Sequence, residues 1–188
     1  INKALDYNFD GLKICEELGD ERQTAISFSN IGSVYISQAD FDKALDYLYK
    51  SNNIHSKIGN HSGLAYTLSN IGLTYHYKGD YEKALKYTKR ALTIHEKLGS
   101  KGGIGYNLSN IGRIYTSIRN FREAKKYLDK SLLIKIKIGL KGDILANTAF
   151  IFLNNKRLKR NYNINKIKAL IKNTDKIGYE VNYTLYQL

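Results

Sequence analysis

The chain has 188 residues, 43% of them hydrophobic, and its 30 Lys and Arg against 17 Asp and Glu give a formal net charge of +13. That apolar content suits a packed core and excludes a disordered polar chain, while no run approaches the roughly 18 consecutive apolar residues of a membrane span and no signal peptide opens the sequence. The single Cys15 excludes an internal disulfide and, falling in a helical periodicity, is expected to be a small buried side chain.

In chain order, residues 1–18 align without gaps to residues 41–58, sharing Lys3/Lys43, Ala4/Ala44, Leu5/Leu45, Asp6/Asp46 and Tyr7/Tyr47. The chain is therefore expected to open on the second helix of a repeat and to be a fragment of a longer protein. Gly19, Gly59, Gly99 and Gly139 share one register just past the last periodic apolar residue, where a helix ends most easily on a residue free to turn left-handed. A first type of helix, A, is predicted over 22–38, where Phe28, Ile31 and Tyr35 stand at i, i+3 and i+7. Asp40, Asp80 and Asn120 then read as N-caps of a second type, B, opening at Phe41, Tyr81 or Phe121. The cycle predicts further A helices over 62–78 and 102–118, and B helices over 41–58, 81–98 and 121–138.

The division expected is a single repeat domain over 1–188. It comprises a truncated unit over 1–20, full units over 21–60, 61–100 and 101–140, a degenerate unit over 141–178 and the start of a further helix over 179–188. In the degenerate unit Ile144, Phe150, Ile151 and Leu153 suggest an A helix near 142–155, but Phe152 stands where earlier units have Gly. A basic run, Lys156-Arg157-Leu158-Lys159-Arg160, reads as a solvated connection.

The motif that organises the chain is Asn30-Ile31-Gly32-x-x-Tyr35, repeated as Asn70-Ile71-Gly72-x-x-Tyr75 and Asn110-Ile111-Gly112-x-x-Tyr115, a period of 40 residues. Fixed self-similarity at this spacing marks a solenoid, whose units bury their apolar faces only by stacking. A glycine inside a helix costs about 1 kcal/mol relative to Ala, so three at one register call for a compensating close helix contact. Ala44, Ala84 and Ala124, at one position of helix B, are small enough to permit it.

Small-Gly-x-x-Tyr on helix A followed by Gly79-Asp80-Tyr81-Glu82-Lys83-Ala84 at the start of helix B resembles the tetratricopeptide repeat. The likeness covers residues 1–140 well. Its 40-residue spacing and its Leu68-Ser69-Asn70-Ile71-Gly72 wording are similar to the variety found in kinesin light chains, Pins-type polarity adaptors and many bacterial regulators. The resemblance implies an all-α fold, a right-handed α-solenoid of antiparallel helix pairs, and a scaffold that binds a peptide or protein segment in a concave groove lined by A helices.

Helical-wheel arithmetic places Phe28, Ile31, Gly32 and Tyr35 on the packing arc of helix A. The opposite arc carries Ile26, Asn30, Ser33 and Ser37, then Tyr66, Asn70, Leu73 and Tyr77, then Tyr106, Asn110, Arg113 and Ser117. Asn30, Asn70 and Asn110 are the candidate peptide-gripping column, since a carboxamide offers both a donor and an acceptor to an extended backbone. Tyr66, Leu73, Tyr77 and Tyr106 would add contact area, and Arg113 would pair with a carboxylate.

Residues 1–40 carry 3 basic and 7 acidic side chains, residues 81–160 carry 19 and 5, so an acidic segment is the expected partner. Nucleic acid bound by the basic half is the weaker alternative, and a sensory segment of a larger signalling protein, a kinase or a transcription regulator, is another. His55 and His95 are repeat copies replaced by Lys135 in the next unit, so they read as packing or surface residues. His61 and His76 have no ligand cluster at metal spacing, and the glycines from Gly99 to Gly105 lack the strand-to-helix setting of a phosphate loop. The expectation is a cytoplasmic, non-enzymatic module with no metal and no cofactor; the sequence leaves its oligomeric state open.

Overall fold

The computed structural model describes residues 2–139 together with Asn147, Thr148, Phe150, Ile151 and Asn154. The helices are α1 (Asn2–Glu17), α2 (Glu21–Ser37), α3 (Phe41–Lys57), α4 (His61–Lys78), α5 (Tyr81–Lys97), α6 (Lys101–Ser117) and α7 (Phe121–Lys137), and no strand occurs among the described residues. Each A or B helix predicted before residue 139 falls within a residue or so of its expected bounds. Phe152, Ile144, Leu153, the basic run 156–160 and the segment 179–188 lie outside the described residues. Thr148, Phe150, Ile151 and Asn154 are helical where the further A helix is expected.

The boundaries follow from cap chemistry. The Asp40, Asp80 and Asn120 side chains accept the N–H of Lys43, Lys83 and Glu123 at 3.2, 3.1 and 3.3 Å, satisfying an amide that the helix leaves unpaired. Asp20, Asn60 and Ser100 cap the A helices in the same way, a role the sequence reading did not name. Gly19, Gly59, Gly99 and Gly139 end their helices at φ of 67°, 66°, 64° and 75°. The A-to-B turn also needs a left-handed residue, and it accepts Ala39 and Arg119 there as well as Gly79.

The chain divides into two compact units, Ile1–Gly99 and Ser100–Leu188. In the first, α2 packs on α1 and α3, α4 packs on α3 and α5, and the A helices α2 and α4 also touch. Leu12, Phe28 and Ile31 form one apolar cluster, flanked by Leu5, Tyr35, Tyr47 and Ile54. Leu45, Leu48 and Ile71 form the next, flanked by Ile36, Tyr75 and Tyr87. In the second unit α6 packs on α7.

The motif glycines sit at the closest approach of each helix pair. A Cβ on Gly32, Gly72 or Gly112 would stand 3.2 Å from the carbonyl oxygen of Ala44, Ala84 or Ala124 respectively, and closer still to Leu48, Thr88 or Leu128. The expected compensating contact is thus an A-to-B backbone contact, made possible by Gly on one side and a fully buried Ala on the other. Cys15 differs from expectation: it is half-buried, on α1, whose main packing partner is α2.

Candidate functional site

In the first unit α2, the end of α3 and the start of α4 enclose a pocket of about 290 Å³ lined by Arg22, Ile26, Ser29, Asn30, His55, Asn60, Ser62, Gly63 and Tyr66. Three of these, Ile26, Asn30 and Tyr66, belong to the arc opposite the packing face. Asn30 is exposed and Tyr66 is 51% exposed, so both present their polar groups to solvent at the rim.

The floor is His55, only 1% exposed. Its ring lies against the Cα of Gly63, where a Cβ would come within 2.4–2.6 Å of three ring atoms. Asn60 holds the ring in one state. The Asn60 Oδ1 accepts from Gly63 N at 3.1 Å, which turns its Nδ2 toward His55 Nδ1 at 3.2 Å. Nδ1 is therefore the acceptor, and Nε2 carries the proton. Burial, and then the charge of Arg22, push His55 below its ordinary value of 6.5, which keeps the ring neutral.

Beneath the pocket three buried hydroxyls join successive A helices to the B helix between them. Ser29 Oγ and Thr67 Oγ1 lie 2.9 Å apart, Ser51 Oγ and Thr67 Oγ1 3.0 Å, and Ser51 Oγ donates to Ser29 Oγ at 3.3 Å. In the second unit the same register holds Ser109 Oγ donating to Asn147 Oδ1 at 2.6 Å and Ser131 Oγ donating to the Gly105 carbonyl at 2.6 Å. Lys135, in the His55 position, is 3% exposed and donates to Asn147 Oδ1 at 3.4 Å.

The asparagine column has three different settings. Asn30 is exposed; Asn70 is 6% exposed and its Nδ2 donates to Ser33 Oγ at 3.2 Å; Asn110 is 3% exposed and its Nδ2 has no partner among the described residues. Tyr77 stacks on Phe41 at 6.0 Å and lines a separate open hollow with Asp42 and Lys78, so Tyr66 and Tyr77 do not share a pocket. Tyr106 is 38% exposed, and the half-buried Arg113 places its guanidinium 5.4 Å above the Phe150 ring.

A tetratricopeptide repeat family model matches residues 23–97 and 63–137. The chain belongs to the tetratricopeptide repeat family. No curated protein matches it in sequence. Among solved structures this tetratricopeptide chain is similar to the apo form of RapI, at a TM-score of 0.79 and 15% identity over 97% of this chain and 56% of that one. It is also similar to the repeats of a kinesin light chain-like protein of Podosopora anserina, at a TM-score of 0.66 and 14% identity over 99% of this chain and 87% of that one. A third likeness is to a signal transduction ATPase with a tetratricopeptide repeat sensor from Pyrococcus horikoshii, at 0.74 and 17% identity over 97% of this chain and 32% of that one.

Two site features of this tetratricopeptide chain escaped the sequence reading. One is the pairing of His55 with Gly63; the sequence signal was there, because His95 is likewise followed eight residues on by Gly103, whereas Lys135 is followed by Asp143. The other is a set of stacked tyrosines, Tyr35–Tyr47, Tyr75–Tyr87 and Tyr115–Tyr127, with centroids 5.6, 5.6 and 5.5 Å apart. The helix-B partners recur at the 40-residue period as faithfully as the helix-A ones.

Proposed function

We propose that the chain binds an extended peptide or protein segment along the faces of its A helices. The observation that carries this reading is the pocket between α2 and α4, rimmed by exposed Asn30 and Tyr66. In the second unit α6 offers an exposed Tyr106 ring, the repeat equivalent of Tyr66. The net charge of +13 and the placing of Arg22 and Arg113 favour an acidic segment.

The test is to select binders from a random peptide display library on the immobilised chain and measure their affinity by fluorescence polarisation. Tyr66→Ala and Asn30→Ala are expected to weaken binding about tenfold each, as loss of a contact of about 1.4 kcal/mol does, without loss of helicity. Affinity unmoved by both, and by Tyr106→Ala, rejects the groove.

A role as the sensory segment of a larger signalling protein is compatible with this reading. It is favoured by the likeness to the archaeal signal transduction ATPase, in which such repeats form the sensor. The sequence encoded on either side of the chain tests it, an output domain there being the expected finding. Nucleic acid is favoured less. On α7, Lys125 pairs with Asp129 and Lys126 with Glu123, which draws those cations toward their own helix. Binding to a single-stranded oligonucleotide at low salt that collapses at moderate salt would reverse that preference.

A further inference from the structure

We propose that the pocket floored by His55 is a seat for a carboxylate side chain, Asp or Glu, of the bound segment. The source of the carboxylate rests on the groove reading above; the chemistry of the pocket stands on its own residues.

Arg22, Asn30, His55, Asn60, Ser62 and Tyr66 supply every polar side chain of the lining that is not part of the buried hydroxyl triad, and none of them is Asp or Glu. Arg22 is exposed at the mouth and makes no ion pair among the described residues, although its neighbour Glu21 is paired with Lys57 at 2.6 Å. His55 Nε2–H has no partner among the described residues, since the one hydrogen bond of the ring is made by Nδ1. Nε2 is not sealed from solvent, so its N–H is open to an acceptor that enters the pocket. The pocket thus offers one fixed charge and one neutral N–H. That is the complement of a monoanion with two acceptor oxygens: one oxygen meets the guanidinium, the other the imidazole.

Size and sequence point the same way. About 290 Å³ is at the lower limit of pockets that hold a whole small molecule, and suits one side chain entering from a groove. Gly63 has no φ requirement of its own, and its place in α4 is explained by the His55 ring that a Cβ would strike. The ring is thereby held flat beneath the cavity.

The experiment uses the intact chain with ¹⁵N-labelled histidine and three probes: N-acetyl-aspartate N-methylamide, its asparagine counterpart, and the phosphoserine counterpart. The aspartate probe is expected to shift the His55 Nε2 and ring-proton resonances saturably, and Arg22→Gln, at an exposed position, is expected to weaken that response at least tenfold. No saturable His55 shift, an equal response to the asparagine probe, or a response to the phosphoserine probe alone would each overturn the assignment. The peptide experiment decides the groove separately. Display peptides that bind with an unresponsive His55 reject the pocket alone, and a responsive His55 in a chain that captures no peptide rejects the groove alone.

Discussion

Gly72 and Thr88 meet so closely that a Cβ on the glycine would stand 2.3 Å from Thr88 Oγ1 and 3.0 Å from the Thr88 backbone nitrogen. Thr88 is β-branched and stiff, and its backbone nitrogen and the Ala84 carbonyl cannot turn aside, so α4 and α5 would have to part to admit a methyl group. Overpacking of this kind costs about 1–3 kcal/mol, and the better helix propensity of Ala returns up to about 1. Gly72→Ala is therefore expected to lower the unfolding free energy by roughly 1–2 kcal/mol in urea titrations. Gly11 in α1 has open space around its Cα, so Gly11→Ala is expected to raise stability by about 0.5–1 kcal/mol. If the two variants moved stability in the same direction, the close-contact account of the motif would fail.

The hydroxyl triad of Ser29, Ser51 and Thr67 is a small buried network in which each oxygen has two partners. Thr67→Val preserves shape and removes the hydroxyl that Ser29 and Ser51 both meet, for an expected loss of about 1–2 kcal/mol. Ser51→Ala is expected to cost a similar amount. Since the two share one network, the double variant should lose clearly less than the sum. Strict additivity in a double-mutant cycle would show that the three hydroxyls act independently.

Repeat register made the fold legible. The recurrence of Asn-Ile-Gly-x-x-Tyr, of Ala44, Ala84 and Ala124, and of the capping Asp40, Asp80 and Asn120 fixed where helices start, stop and touch. The site was legible only in part, because a single-helix wheel shows which way a residue points and not what the neighbouring repeat places there. Asn70 and Asn110 stand on the same arc as Asn30, yet both are buried, and Asn70 has a partner in Ser33. His55 was hidden for the opposite reason. Its burial depends on Gly63 in the next helix, a relation between repeats that appears in the sequence only as the matching His95 and Gly103.

Tyr49 shows how an exposed residue can still be constrained. It is 37% exposed, and its hydroxyl lies 2.9 Å from that of Tyr75 and 3.1 Å from that of Tyr87. Burial, and then hydrogen bonding to the two neighbouring phenols, push Tyr49 well above the ordinary value of 10. In an ultraviolet titration at least one tyrosine is expected to ionise late, and Tyr49→Phe to remove that late step. The variant should lose about 0.5–1.5 kcal/mol of stability, the net worth of a hydrogen bond. A late step that survives in Tyr49→Phe belongs to another phenol and refutes the assignment.

The same reasoning gives the chain a dependence on acid. His55 is held neutral by burial first and by Arg22 second, so its folded value lies below its ordinary 6.5, while in the unfolded chain the ring titrates near that ordinary value. Below the ordinary value the unfolded state binds the proton that the folded state refuses, and stability rises with pH wherever the unfolded state carries more protons. The stabilising contribution is therefore complete above 6.5 and is lost as pH falls from there through the depressed folded value. Urea titrations stepped downward from pH 7.5 should show the unfolding free energy of the chain declining from about the ordinary histidine value onward. His55→Gln keeps an uncharged polar group against Gly63 and does not titrate, so its decline across the same interval should be shallower. Occupation of the pocket by a carboxylate acts in the opposite sense, because a negative charge beside the ring favours the imidazolium. With the aspartate probe present at saturation the folded value moves back toward the unfolded one, so the wild-type decline is expected to be shallower than without it. A probe that left the profile unchanged while binding elsewhere on the chain would separate the acid dependence of His55 from the pocket it floors.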